Sequence, residues 1–221
     1  SISRGHGFSH GRSVLYWGRL KAFQAYGFQM AAFKILFGAL LVAIMAMPTA
    51  VPAIADPVNI VGMGDSLMAG YDLGPGEPFA AKLQEALKKD GYDATVTNAG
   101  VSGDTTSDGL ARLDWSVPDG TGLVLLELGS NDMLRGIDPA LTKKNLEAMI
   151  ERLKQRNIKI VLFGMKAAPN LGEDYQKAFD AIYPDLAAKY SLPLYPFFLD
   201  GVVGHPDLQF KDGMHPNAKG V

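Results

Sequence analysis

Ser66, Gly103, Asn131, Asp212 and His215 are the residues whose types and surroundings could do chemistry together. Ser66 follows Gly62-Met63-Gly64-Asp65, a glycine-marked exit from the apolar run Val58 to Val61. A serine just past a strand's carboxyl end stands where open α/β sheets bind their ligands. It becomes a nucleophile when a base takes its proton and donors await the oxyanion. His215 is the residue type whose proton affinity lies near neutrality. Asp212, three residues earlier, could fix its tautomer and orientation. The N–H groups of Ser66 and Gly103 and the amide of Asn131 could meet an oxyanion, and glycine at 103 lets backbone approach a substrate closely. Together these residues read as acyl transfer. The simpler readings are Ser66 as a helix N-cap beside a tight glycine turn, and Asn131 as a turn residue.

Other chemistries fit poorly. The chain has no cysteine, which removes thiolate nucleophiles, disulfides and Cys-based metal sites. After residue 55 the only histidines are His205 and His215, too few for a His-rich metal site. His205 precedes a proline and has no acid at matching spacing before it, so it reads as a surface-loop residue. Gly62-Met63-Gly64 is followed by Leu67 where a dinucleotide fingerprint needs glycine. The Gly64 to Gly70 stretch lacks a P-loop lysine, and no G-x-S-x-G elbow is present. Asp65 and Asp132 read as loop-fixing residues, and Tyr71 and Trp115 as packing residues.

The elements that must position the candidates alternate strand and helix. Val58 to Val61, Ala94 to Val96, Leu123 to Leu128, Ile158 to Phe163 and Leu194 to Phe197 read as strands. Glu127 is the one polar exception in the third, whose otherwise apolar run suits the middle of a parallel sheet. Pro196 favours an edge position for the last. Helices are expected over Phe79–Lys89, with Phe79, Leu83, Ala86 and Leu87 on one face, and over Ser107–Leu113, capped at Thr106 or Ser107. A further helix spans Pro139–Arg156, with Leu141, Leu146, Met149, Ile150 and Leu153 inward, and another spans Asp174–Tyr190. Gly129-Ser130-Asn131-Asp132 and Ala167 to Glu173 read as loops. This predicts an α/β fold, a three-layer α/β/α sandwich on a five-stranded parallel sheet in the flavodoxin-like order 2-1-3-4-5.

The 221 residues suffice for one domain. Five of the 21 basic residues and none of the 23 acidic ones lie in residues 1–55, so the remainder carries a net charge of −7. That body has no basic footprint for nucleic acid. Residues 30–55 read as a secretory signal: Met30 to Lys34 form the charged start, Ile35 to Met47 the apolar run, and Ala53-Ile54-Ala55 the cleavage site. Cleavage after Ala55 predicts a periplasmic or secreted protein with no stable membrane insertion. Residues 1–29 are expected to be a non-native extension, and 56–221 the domain.

Four blocks then resemble the SGNH (GDSL) hydrolase family, in its bacterial periplasmic arylesterase, acyl-CoA thioesterase and lysophospholipase group. They are Gly64-Asp65-Ser66-Leu67, Val101-Ser102-Gly103-Asp104-Thr105, Gly129-Ser130-Asn131-Asp132 and Asp212-Gly213-Met214-His215-Pro216-Asn217. Gly109-Leu110-Ala111-Arg112-Leu113 and Ala181-Ile182-Tyr183-Pro184 also match this group. The resemblance implies the SGNH hydrolase fold and a monomeric serine esterase or thioesterase acting on small acyl esters without metal or organic cofactor. It assigns Ser66 as nucleophile, His215 as base, Asp212 as its orienter, and Ser66, Gly103 and Asn131 as the oxyanion site. It also has the loop before Met133, Leu134 and Ile137 border the acyl pocket, though these three read equally as core residues; Pro169 and Asn170, in the next loop along the same edge, are further candidates for substrate contact. A carbohydrate O-acetylesterase with the same machinery, a non-catalytic acyl-binding protein and an inactive remnant are the alternatives. Relatives carry a helix after the His block, so a truncated C-terminal helix is expected here; Asn217 reads as its N-cap.

Overall fold

The computed structural model describes residues 57–221; the signal segment expected over 30–55 and the extension expected over 1–29 lie outside the described residues. In chain order the elements are β1 (Val58–Gly64), α1 (Ser66–Ala69), α2 (Phe79–Lys89), β2 (Ala94–Gly100), α3 (Thr106–Ser116) and β3 (Leu123–Glu127). They continue with α4 (Ser130–Leu134), α5 (Pro139–Gln155), β4 (Lys159–Phe163), α6 (Glu173–Asp180), α7 (Ile182–Tyr190) and β5 (Leu194–Tyr195). The five strands pair in parallel in the order β2-β1-β3-β4-β5, as the alternation predicts.

The period-two alternation of β1 and β3 divides the core between the sheet's two faces. Val61, Met63, Val124 and Leu126 belong to the larger layer, with Leu113 from α3, Leu146, Met149, Ile150 and Leu153 from α5, and Ile182 and Leu186 from α7. Ile60, Leu125 and Phe163 belong to the smaller layer, with Phe79, Leu83 and Leu87 of α2. Each fully buried aliphatic side chain contributes roughly 1.5–3 kcal/mol, so both layers weigh heavily in stability. At the outer side of β2, Gln84 of α2 donates its amide to Ala94 O (2.8 Å) and accepts from Val96 N–H (2.7 Å).

Several local expectations are corrected. Helix α3 starts at Thr106, and its cap is Thr105: Thr105 accepts from Asp108 N–H while Asp108 accepts from Thr105 N–H, a capping box. Trp115 on α3 is 75% exposed, so it is not a packing residue. On α5, Leu141 faces solvent at 43% exposure. The buried stripe there is Thr142, Asn145, Leu146, Met149, Ile150 and Leu153, one residue out of step with Leu141. On α2, Ala86 is exposed. The helix expected over Asp174–Tyr190 is two helices. Pro184 has no N–H for the carbonyl of Asp180, so α6 stops there and α7 restarts at Ile182. Gly129 to Asp132 is not wholly a loop: Ser130 opens α4. Among the described residues no helix is long and apolar enough to cross a membrane.

Candidate active site

β1 delivers Ser66. The strand sits between β2 and β3, and the chain turns at its carboxyl end into α1. Gly64 is required at that turn: a Cβ there would lie 2.5 Å from Glu127 Oε2 and from Met68 Cβ. Asp65 caps α1, accepting Leu67 N–H at 3.0 Å. Burial pushes the Asp65 carboxyl up; hydrogen bonds from Ser130 and Leu67 and the nearby His215 oppose this. Asp65 thus has the structural role read for it.

The loop that carries Gly103 follows β2. Gly103 lies there at φ +89°, a conformation that favours glycine. Three contacts pin this loop. Asp104 pairs with the buried Arg112 of α3. Arg112 also donates to Ala99 O (2.8 Å), Ser116 Oγ (2.9 Å) and Gly64 O (2.9 Å), tying the ends of β1 and β2 to the loop. Arg135 donates to Gly103 O at 2.8 Å. Asn131, from α4 after β3, donates its amide to Asp104 O at 2.9 Å and to Asp65 Oδ2 at 3.3 Å. Asp132 behind it is buried and accepts from Thr106 N–H (2.8 Å) and Thr142 Oγ (3.1 Å), which fixes α4.

The Asp212–His215 segment is irregular. His215 Nε2 lies 2.8 Å from Ser66 Oγ, and its Nδ1 lies 2.7 Å from Asp212 Oδ2. Asp212 Oδ1 accepts from Met214 N–H (2.9 Å) and His215 N–H (3.0 Å). Partial burial pushes the Asp212 carboxyl up, but the Met214 and His215 hydrogen bonds and the imidazole outweigh it and hold it down at about 2. Phe210 N–H donates to His215 O, Gln209 bridges to Pro216, and the Gln209 amide donates to Gly213 O. Asn217 Nδ2 donates to Asp207 O and Gln209 O, while its Oδ1 accepts from Lys219 and Gly220 N–H as an N-cap would. The ring of Tyr71 lies 4.5 Å from that of His215. Tyr71 is 46% exposed at the cleft, so it is not the simple packing residue expected.

The catalytic candidates Ser66, Asp212 and His215 are therefore together, and Ser66, Gly103 and Asn131 line one cleft of about 580 Å³. Its walls are chiefly apolar, including Met133, Leu134, Met165, Pro169, Leu199 and Val203. Ile137 and Asn170 are the exceptions among the contact residues expected from sequence. Both lie outside the cleft lining, and the Ile137 carbonyl accepts from Tyr175 Oη at 2.8 Å. His205 is exposed away from the cleft, as read. Sequence reasoning missed Glu127, Arg112, Met165, Leu199 and Val203. Glu127 left a signal as a lone acid in an apolar strand, and Arg112 as part of the Gly109–Leu113 block.

This geometry and sheet belong to one hydrolase class. Residues 63–221 match the GDSL-like lipase/acylhydrolase family model. The chain belongs to that family, the SGNH hydrolases, and is an ester-bond hydrolase. An arylesterase of Vibrio mimicus is 42% identical over 73% of this chain and 81% of its own length. The esterase TesA of Pseudomonas aeruginosa is 40% identical over 72% of this chain and 79% of its own. The crystal structure of AlinE4, an SGNH-hydrolase family esterase, superposes with a TM-score of 0.69 at 50% identity, covering 75% of this chain and 89% of that one.

Proposed function

We propose that this hydrolase cleaves small acyl esters and thioesters through an acyl-enzyme on Ser66. The observation that carries this reading is the continuous relay Ser66 Oγ–His215–Asp212 at 2.8 and 2.7 Å, at the edge of a mainly apolar cleft. His215 Nε2 takes the Ser66 proton as Oγ attacks the acyl carbonyl. Asp212 accepts from Nδ1–H, fixes the tautomer and stabilises the imidazolium. Negative charge on the carbonyl oxygen meets the N–H groups of Ser66 and Gly103, neither of which has an acceptor among the described residues. Asn131 is the third donor. Its long 3.3 Å bond to Asp65 leaves that hydrogen open to the stronger, charged acceptor. His215 then returns the proton to the leaving alcohol or thiol, and water activated by His215 releases the acid. Apolar walls favour an acyl chain over an acetylated sugar, whose hydroxyls would want partners there.

Export over residues 30–55, a periplasmic or extracellular location, action as a monomer and catalysis without metal or organic cofactor complete the proposal. The signal pattern supports the first two, and a relay formed within one chain supports the third. The test is hydrolysis of short-chain p-nitrophenyl esters and an acyl thioester by wild type and Ser66→Ala. The variant should lose at least about 10³-fold in kcat with the fold intact. Full activity in Ser66→Ala would overturn the mechanism.

A further inference from the structure

A buried acid lies directly beneath the nucleophile. Glu127 ends β3 in register with Gly64, the residue two before Ser66. Its side chain is fully buried. The start of a helix leaves N–H groups without carbonyl partners, and α1 is no exception. Asp65 Oδ1 takes the one from Leu67. Glu127 Oε2 accepts Asp65 N–H at 3.3 Å. The N–H of Ser66 has no acceptor among the described residues.

We propose that Glu127 is a positioning residue: its carboxyl oxygen holds the Asp65 N–H and so fixes the turn that presents the Ser66 N–H to the oxyanion. This rests on the reading of Ser66 as nucleophile. The placement is tight, since even a Cβ at Gly64 would reach Glu127 Oε2. No ion pair forms at Glu127 among the described residues. The groups facing it are the Asp65 carboxyl on the nucleophile turn and the Tyr183 phenol of α7, which donates to Leu128 O. The Arg112 guanidinium of α3 is engaged with Gly64 O, Ala99 O, Ser116 and Asp104. Glu127 Oε1 is buried with no partner among the described residues. An ionised carboxylate would leave that oxygen charged and dry, which is costly. Burial first, and the neighbouring Asp65 charge second, push the Glu127 carboxyl well up. Glu127 therefore works as a neutral acid, whose carbonyl oxygen accepts the Asp65 N–H.

Two variants of the full chain test this by p-nitrophenyl ester kinetics and thermal melting. Glu127→Gln keeps the accepting oxygen and should hold kcat within about threefold of wild type. Glu127→Leu fills the space without an acceptor and should lower kcat about tenfold or more, with KM changed less than about twofold. A well-folded Leu variant with wild-type kcat would overturn the proposal. So would a Gln variant losing ten-fold, whether or not the Leu variant folds. The pH dependence has a definite sign. A carboxyl raised by folding gives stability that is full below its unfolded value and lost as pH rises through its folded value. Gln has no such proton, so its Tm advantage over wild type should grow from about pH 5 to about pH 9. A constant difference would overturn the neutral-acid role. A failure of Ser66→Ala to lose activity would be separate, since it would remove the nucleophile itself.

Discussion

The Ser66 turn and the Asp212–His215 segment meet across one hydrogen bond, and they are held by different means. Ser66 stands on an inner strand, over a buried network of Asp65, Glu127 and Arg112 that ties β1, β2, β3 and α3 together. His215 stands on a stretch with neither long helix nor strand, folded back on itself by the Gln209–Pro216 bridge and by Asn217. Its Asp212 is partly exposed. The position of Ser66 is thus a property of the whole sheet, and that of His215 a property of a few local bonds. Damage on the first side should cost stability together with activity. Damage on the second should cost activity with little loss of fold.

The largest effect should come from the base side. Asp212→Asn should lower kcat by about 10³- to 10⁴-fold with only a small Tm loss at neutral pH, because the imidazole loses its tautomer and its counter-charge. The same carboxyl has a signature at low pH. Its folded value is depressed to about 2, so its contribution is present above the ordinary carboxylate range and is lost as pH falls through about 2. The Tm gap between wild type and Asp212→Asn should therefore close as the pH is lowered from about 4 toward 2. A large Tm loss at neutral pH would break the comparison. Next comes Arg112→Leu on the nucleophile side. Asp104 would be left half-buried and unpaired and the carbonyls of Gly64 and Ala99 would lose a donor, so unfolding should become about 1–3 kcal/mol easier in denaturant titration, with kcat falling as Gly103 is freed. Activity loss without stability loss would contradict the shared-sheet view. Smallest is Asn217→Ala, which removes the side-chain bonds under His215. Urea titration should show about 1 kcal/mol lost, and kcat should fall more than this stability loss implies.

The parts that were legible in sequence are those governed by short-range pattern. Leu123 to Leu128 and Ile158 to Phe163 announce buried strands because apolar runs of that length suit little else. The catalytic candidates stand beside glycines that mark the ends of strands, so the topology brings them to one edge. Illegible parts depend on register between distant segments. Glu127 meets Asp65 only because β3 pairs with β1 so that Glu127 lies opposite Gly64. Arg112 reaches Gly64 O and Asp104 only once α3 lies against both strand ends. Leu141 looked internal by type, whereas burial on α5 follows the hydrogen bonds of Thr142 to Asp132 and of Asn145 to Thr106. Two errors had their signals in plain view: Thr105 with Asp108 for the helix start, and Pro184 for the break between α6 and α7.

The Gln84 side chain has a consequence beyond packing. β2 is one of the sheet's two edge strands, and an open strand edge is a template on which a second copy could add its own strand. Gln84 presents one amide C=O and one N–H to Val96 and Ala94, as the peptide group of an added strand would. The place where strand addition would start is already taken from within the chain. A glutamine on a neighbouring helix thus serves as a built-in guard against edge-to-edge aggregation, without a charge or a proline in the strand itself.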